Sequence, residues 1–110
     1  MRTNLTVKGV EKTATLNRLL DHKLHYAFGR FGHWIGEIAL AIEDLNGPKG
    51  GVDKRCRVAI TVPRHRSVIV EDRGEDLLAV VSHAIDRAAL ALSRLRDRRH
   101  SRRRPAMGDA

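Results

Sequence analysis

At 110 residues the chain has the length of one domain, and with 42% hydrophobic and 31% charged residues it is neither wholly disordered nor a membrane span. Its longest apolar runs, Ile38–Ile42, Leu77–Val81 and Ala88–Leu92, fall far short of the roughly 20 residues that cross a bilayer. The single cysteine, Cys56, excludes a disulfide framework and a multi-cysteine zinc site.

The amino terminus lacks a charged-then-apolar signal pattern, so the expected compartment is the cytoplasm. The formal net charge is +8, and residues 94–104 supply six of those charges, with seven arginines against Asp97 alone. The rest of the chain is close to neutral. A globular body with one basic pole is the electrostatic footprint of a nucleic-acid binder, or less often of a protein on an anionic membrane. All four aromatics, Tyr26, Phe28, Phe31 and Trp34, lie within nine residues, which argues against a broad base-stacking platform.

In chain order, Leu5 and Val7 alternate with polar residues and predict a short strand ending at Gly9. Thr13 can cap a helix whose apolar stripe is Leu16, Leu19, Leu20, Leu24, Ala27 and Phe28. Gly29 and Gly32 are expected to end it in the left-handed cap conformation. From Trp34 the period becomes two: Ile38, Leu40 and Ile42 alternate with Glu37, Ala39, Ala41 and Glu43. Asn46, Gly47, Pro48, Gly50 and Gly51 predict a plain hairpin turn; the Gly-Lys-Ser/Thr ending and following helix of a phosphate loop are missing. The next strand puts Cys56, Val58, Ile60 and Val62 on its core face and Arg55, Arg57, Ala59 and Thr61 on the other, and Pro63 closes it. His65 and Arg66 connect it to a third strand of the meander, Ser67–Glu71, with Val68 and Val70 inward.

Gly74 marks the end of the sheet. Glu75 and Asp76 open a helix on which Leu77, Val81, Ala84, Ile85, Ala88, Leu92 and Leu95 recur at helical spacing. Past Arg99 no apolar period remains, so residues 1–99 read as one domain and 100–110 as a flexible basic tail. The order β-α-β-β-β-α predicts an α+β fold, two helices packed on one face of a four-stranded sheet.

Reactive groups do not converge. His22 and His25 lack a third metal ligand at a recognisable spacing and read as solvated side chains beside Lys23. His83, one turn before Arg87, suits a phosphate or solvent better than a base. Cys56 reads as a buried small hydrophobe. Ser82 and Ser93 have no nucleophile-elbow context. Phe28, Phe31 and Trp34 read as packing at the joint between helix and sheet. No enzyme, cofactor, metal or small-molecule substrate is therefore expected. The arginines remain. Arg87, Arg94 and Arg98 fall at i, i+7 and i+11, one helix stripe offset from the core face, and suit the repeating phosphates of nucleic acid. Arg55 and Arg57 could extend the patch across the sheet.

The element order, with the run Gly74-Glu75-Asp76-Leu77-Leu78-Ala79-Val80-Val81-Ser82-His83-Ala84-Ile85-Asp86-Arg87, resembles the bacterial ribosome hibernation family. Its members include the hibernation promoting factor and the ribosome-associated inhibitor, also called subunit interface proteins. The resemblance covers roughly residues 5–100 and includes the Arg57–Val62 strand, the Thr13–Leu20 helix, Phe28 and Arg30. Ser82 and Leu78 depart from it, standing where the family often has Asp and an aromatic. The length corresponds to the family's short form. The resemblance implies a fold related in outline to double-stranded-RNA-binding domains. It also implies a non-catalytic factor that binds the small ribosomal subunit in the decoding channel and silences translation under stress. Arg87, Arg94, Arg96 and Arg98 then occupy positions facing ribosomal RNA (rRNA), with Arg30, Arg55 and Arg57 as further candidates. The alternatives are a generic basic RNA- or DNA-binding module and, more distantly, a small hydrolase with a histidine base.

Overall fold

The computed structural model describes residues 2–45 and 53–103, with side chains through residue 98. The elements are β1 (Arg2–Lys8), α1 (Ala14–Phe28), β2 (Glu37–Asp44), β3 (Lys54–Thr61), β4 (Val68–Gly74) and α2 (Leu77–Arg103). They form one four-stranded sheet in the order β1-β2-β3-β4. β1 and β2 are parallel, as a helical crossover between them requires, and β2, β3 and β4 form an antiparallel meander. This is the expected architecture.

The alternation in β2 and β3 is realised residue for residue. Ile38, Leu40, Ile42, Cys56, Val58 and Ile60 are all buried on the face that the helices cover. Leu16, Leu20 and Phe28 of α1 and Val81, Ala84, Ile85, Ala88 and Leu92 of α2 close the core over them. Leu95, expected in this stripe, is only half-buried. Burying each larger aliphatic side chain contributes about 1.5–3 kcal/mol.

Caps are local and explicit. The Thr13 hydroxyl accepts from the Leu16 amide at 3.1 Å. Asp76 accepts from the Leu78 amide at 3.1 Å, which places the cap of α2 on the expected acidic residue. At the far end of α1 the expectation fails. Gly29 and Gly32 have φ of −54° and −49°, both right-handed, because the chain leaves α1 through a single 3-10 turn over Gly29–Phe31. Among the described residues the left-handed glycine is Gly9, at φ +69°, where an added Cβ would meet the Asp44 carbonyl at 3.1 Å. Arg64 also has a left-handed φ of 69°. It follows Pro63 in a turn closed by the His65 amide on the Val62 carbonyl at 2.9 Å.

Two boundaries differ from expectation. β4 runs to Gly74 rather than Glu71, because inward Asp72, paired in register with Cys56, is satisfied by His83 of α2 at 3.0 Å. α2 continues to Arg103, where the sequence begins a tail at residue 100. The turn expected around residues 46–51 and the tail from 104 lie outside the described residues. The base of that turn is closed by the Leu45 amide on the Asp53 carbonyl at 2.8 Å. There Lys54 bridges Asp53 and Asp44 at 3.0 and 3.3 Å. The hydrogen bond that Lys54 donates to Asp53 keeps its ammonium above the ordinary 10.5, against the opposing effect of burial.

Burial, and secondarily the negative charge of Asp72, pushes the Cys56 thiol up to about 12. Native protein at neutral pH should therefore resist a thiol reagent such as dithionitrobenzoate and release one equivalent only on unfolding. Fast labelling of the folded chain would mean that β3 is shifted by one residue, exchanging its two faces.

Candidate nucleic-acid interface

The seven candidate arginines do not form one patch. The fold distributes them over three places. Arg87, Arg94 and Arg98 are exposed along one stripe of α2, on the side nearest β4. Arg87 Nη1 donates to the Glu71 carbonyl at 3.0 Å, and Nδ1 of His83, one turn earlier, is hydrogen-bonded to the Asp72 carboxylate. These two contacts fix the rotation of α2 about its axis and so the direction in which the stripe looks. None of the three guanidinium groups meets a carboxylate among the described residues. Leu90, 51% exposed, lies between Arg87 and Arg94 on the outward side.

Arg96 and Arg30 gather elsewhere. Their guanidinium groups sit on the ring of buried Phe31, at 4.6 and 4.7 Å from its centroid. Arg96 is half-buried and ties the basic end of α2 to the turn that follows α1. It therefore acts as a packing residue as well as a charge.

Arg55 and Arg57 lie on the opposite side of the molecule, on the sheet face that no helix covers. Arg55 is paired with Glu43 at 3.1 Å. Its neighbour across the sheet, Arg73, approaches Glu71 at 3.6 Å. The centre of this face is small and neutral, with Ala39, Ala41, Ala59 and Thr6 in adjacent register positions. Arg57, on the same face, is exposed and meets no carboxylate among the described residues.

His83 does not stand free for a phosphate, because Asp72 holds it. Cys56, buried and protonated, is no nucleophile at neutral pH. Among the described residues no group of three His, Cys, Asp or Glu side chains could hold a metal ion, and no helix is long and apolar enough to cross a membrane.

One feature escaped the sequence reading. Phe28 and Phe31 are buried and Trp34 is half-buried against His65, but Tyr26 is 75% exposed. Tyr26 falls off the apolar stripe of α1 and lies one turn after His22, with the two rings 4.9 Å apart. Together with Lys23, Arg30 and Asp86 they line a shallow groove of about 420 Å³ between the helices. The i, i+4 pairing of His22 and Tyr26 was visible as a sequence signal.

The architecture has solved counterparts. A ribosomal subunit interface protein from Coxiella burnetii superposes with a TM-score of 0.69 over 88% of this chain and 99% of its own, at 19% identity. The chain has the subunit interface protein fold. The Thermus thermophilus Protein Y N-terminal domain matches with a TM-score of 0.67 over 86% of this chain and 99% of its own, also at 19% identity. No sequence-family model matches the chain, and no curated protein does. The resemblance read from element order and spacing thus has its counterpart in three dimensions. On this fold the arginine stripe of α2, Arg87, Arg94 and Arg98, lies on the helical side.

The division between packed and free arginines has a measurable consequence. Arg96→Ala, which strips a cation and an aliphatic stem from Phe31, should lower stability in urea unfolding by about 0.5–1 kcal/mol. Arg98→Ala should stay within about 0.5 kcal/mol of the parent. Equal losses would mean that the Phe31 contact contributes nothing.

Proposed function

We propose that the chain binds the small ribosomal subunit through its rRNA and silences translation by occlusion, without catalysis. The site would be the channel between head and body, where messenger and transfer RNA sit. The observation that carries this reading is a fold shared with a ribosomal subunit interface protein, combined with a rigid helix whose exposed stripe, Arg87, Arg94 and Arg98, has no carboxylate partner among the described residues. A folded helix holds guanidinium groups a turn or two apart at fixed spacing, which suits the repeat of an RNA backbone. Recognition then depends on charge and on the shape of the subunit rather than on a base code. A plug of this kind would act under starvation or in stationary phase, when idle ribosomes are conserved. Arg30 and Arg96 support it at the helix junction, while Arg55 and Arg57, on the far face of the sheet, contribute long-range attraction.

Co-sedimentation with purified small subunits, beside free RNA of similar length, tests the reading. The chain should travel with subunits and prefer them strongly to free RNA, and it should inhibit translation in an extract. Changing Arg87 and Arg94 together to alanine should weaken subunit binding and lower the salt dependence by roughly two units of slope. Equal affinity for subunits and free RNA would favour a generic basic RNA-binding module instead.

A further inference from the structure

We propose that the groove between α1 and α2 binds one unpaired nucleotide of an RNA strand, with the base stacked on Tyr26. The ligand class rests on the RNA-binding reading above; the site itself rests on the groove.

Three of the four aromatic side chains are taken up by the core and its margin, but Tyr26 is left 75% exposed. Its ring is not loose. It touches His22 at 4.9 Å and meets His25 edge-on at 6.5 Å, so the platform is braced from its own helix. Ala27 and Ala89 line the groove with small side chains and leave about 420 Å³ beside the ring. Small-ligand clefts begin at roughly 300 Å³.

The polar groups suit a nucleotide on both of its sides. Arg30 lines the groove with its guanidinium steadied on the Phe31 ring, which positions a cation for a phosphate. Lys23 is held by Asp86, and the second carboxylate oxygen of Asp86 has no hydrogen-bond partner among the described residues. That oxygen is an acceptor for the exocyclic amine of cytosine, adenine or guanine. An aromatic face, a cation and a carboxylate acceptor in one groove match an unpaired base and its phosphate. A duplex hides its base faces in its own stack and cannot use the ring.

Fluorescence anisotropy with fluorescein-labelled pentacytidylate RNA, beside a short RNA duplex with the same label, tests the site. Tyr26→Ala should weaken pentacytidylate binding about 5- to 150-fold, the range that base–aromatic stacking accounts for. It should leave duplex affinity, salt slope and melting temperature unchanged. Tyr26→Phe, which keeps the ring, should bind like the parent. Cytidine monophosphate should compete only weakly, because it lacks the neighbouring phosphates.

Unchanged pentacytidylate binding by Tyr26→Ala, or a Tyr26→Phe variant as weak as Tyr26→Ala, would overturn the proposal. Cytidine monophosphate binding as tightly as pentacytidylate would also overturn it, assigning the groove to free nucleotides. The RNA used is free of ribosomes. A chain that ignores small subunits yet holds pentacytidylate through Tyr26 would therefore sink the ribosomal reading and leave this one standing.

Discussion

Everything in this molecule that faces outward is directed by how α2 lies on the sheet. Val81, Ala84, Ile85, Ala88 and Leu92 are fully buried, and two of the five are alanines, so the helix backbone comes close to β3 and β4. A seat of that kind admits little rotation: a larger side chain at Ala84 or Ala88 would cost roughly 1–3 kcal/mol in overpacking. Gly74 belongs to the same constraint, since a Cβ there would lie 2.8 Å from Val80 Cγ2. With the buried side fixed, the helical period alone places Arg87, Arg94 and Arg98 on the solvent side nearest β4. The contacts of His83 with Asp72 and of Arg87 with the Glu71 carbonyl lock that placement and cover the edge of β4.

The two sides of the sheet differ in kind. On the helical side the stripe Arg87, Arg94 and Arg98 has no carboxylate partner among the described residues, and Tyr26 stands exposed but braced by its own helix. Leu92 is the last fully buried side chain of α2 among the described residues, and Arg94 and Arg98 follow it on the exposed side of the helix. The open side has alanines and threonines at its centre; Arg55 and Arg73 there are answered by Glu43 and Glu71, while exposed Arg57 has no carboxylate partner among the described residues. Surface pairs of this sort add little stability, but they neutralise the field that a phosphate backbone would meet.

Much of this was legible before any coordinates. Period two in Ile38–Ile42 and Cys56–Ile60 and period near four in α1 and α2 are direct consequences of side-chain direction, so element type, order and core face followed from them. What sequence alone misjudged were places where one residue is rescued by a distant one. β4 continues through polar Asp72 only because His83, on another element, satisfies it. Gly29 and Gly32 looked like left-handed caps, but the next turn tightened instead, and nothing local distinguishes those outcomes. Arg96 stood in a run of similar arginines, and its different role depends on Phe31, which comes from the other end of the chain. Tyr26 received no role beyond membership of the aromatic cluster, although its position off the α1 stripe already placed it outside the core.

The central claim is that the α2 side, rather than the open sheet, meets ribosomal RNA. Hydroxyl-radical footprinting of the protein, free and bound to small subunits, reads this directly because each side carries an exposed aliphatic reporter. Leu90 is 51% exposed amid the arginine stripe, and Ile69 is 56% exposed on the uncovered face of the sheet. The account predicts that subunit binding protects Leu90 strongly and leaves the oxidation rate of Ile69 unchanged. Protection of Ile69 with Leu90 still reactive would contradict it and give the open sheet the role assigned here to the helix.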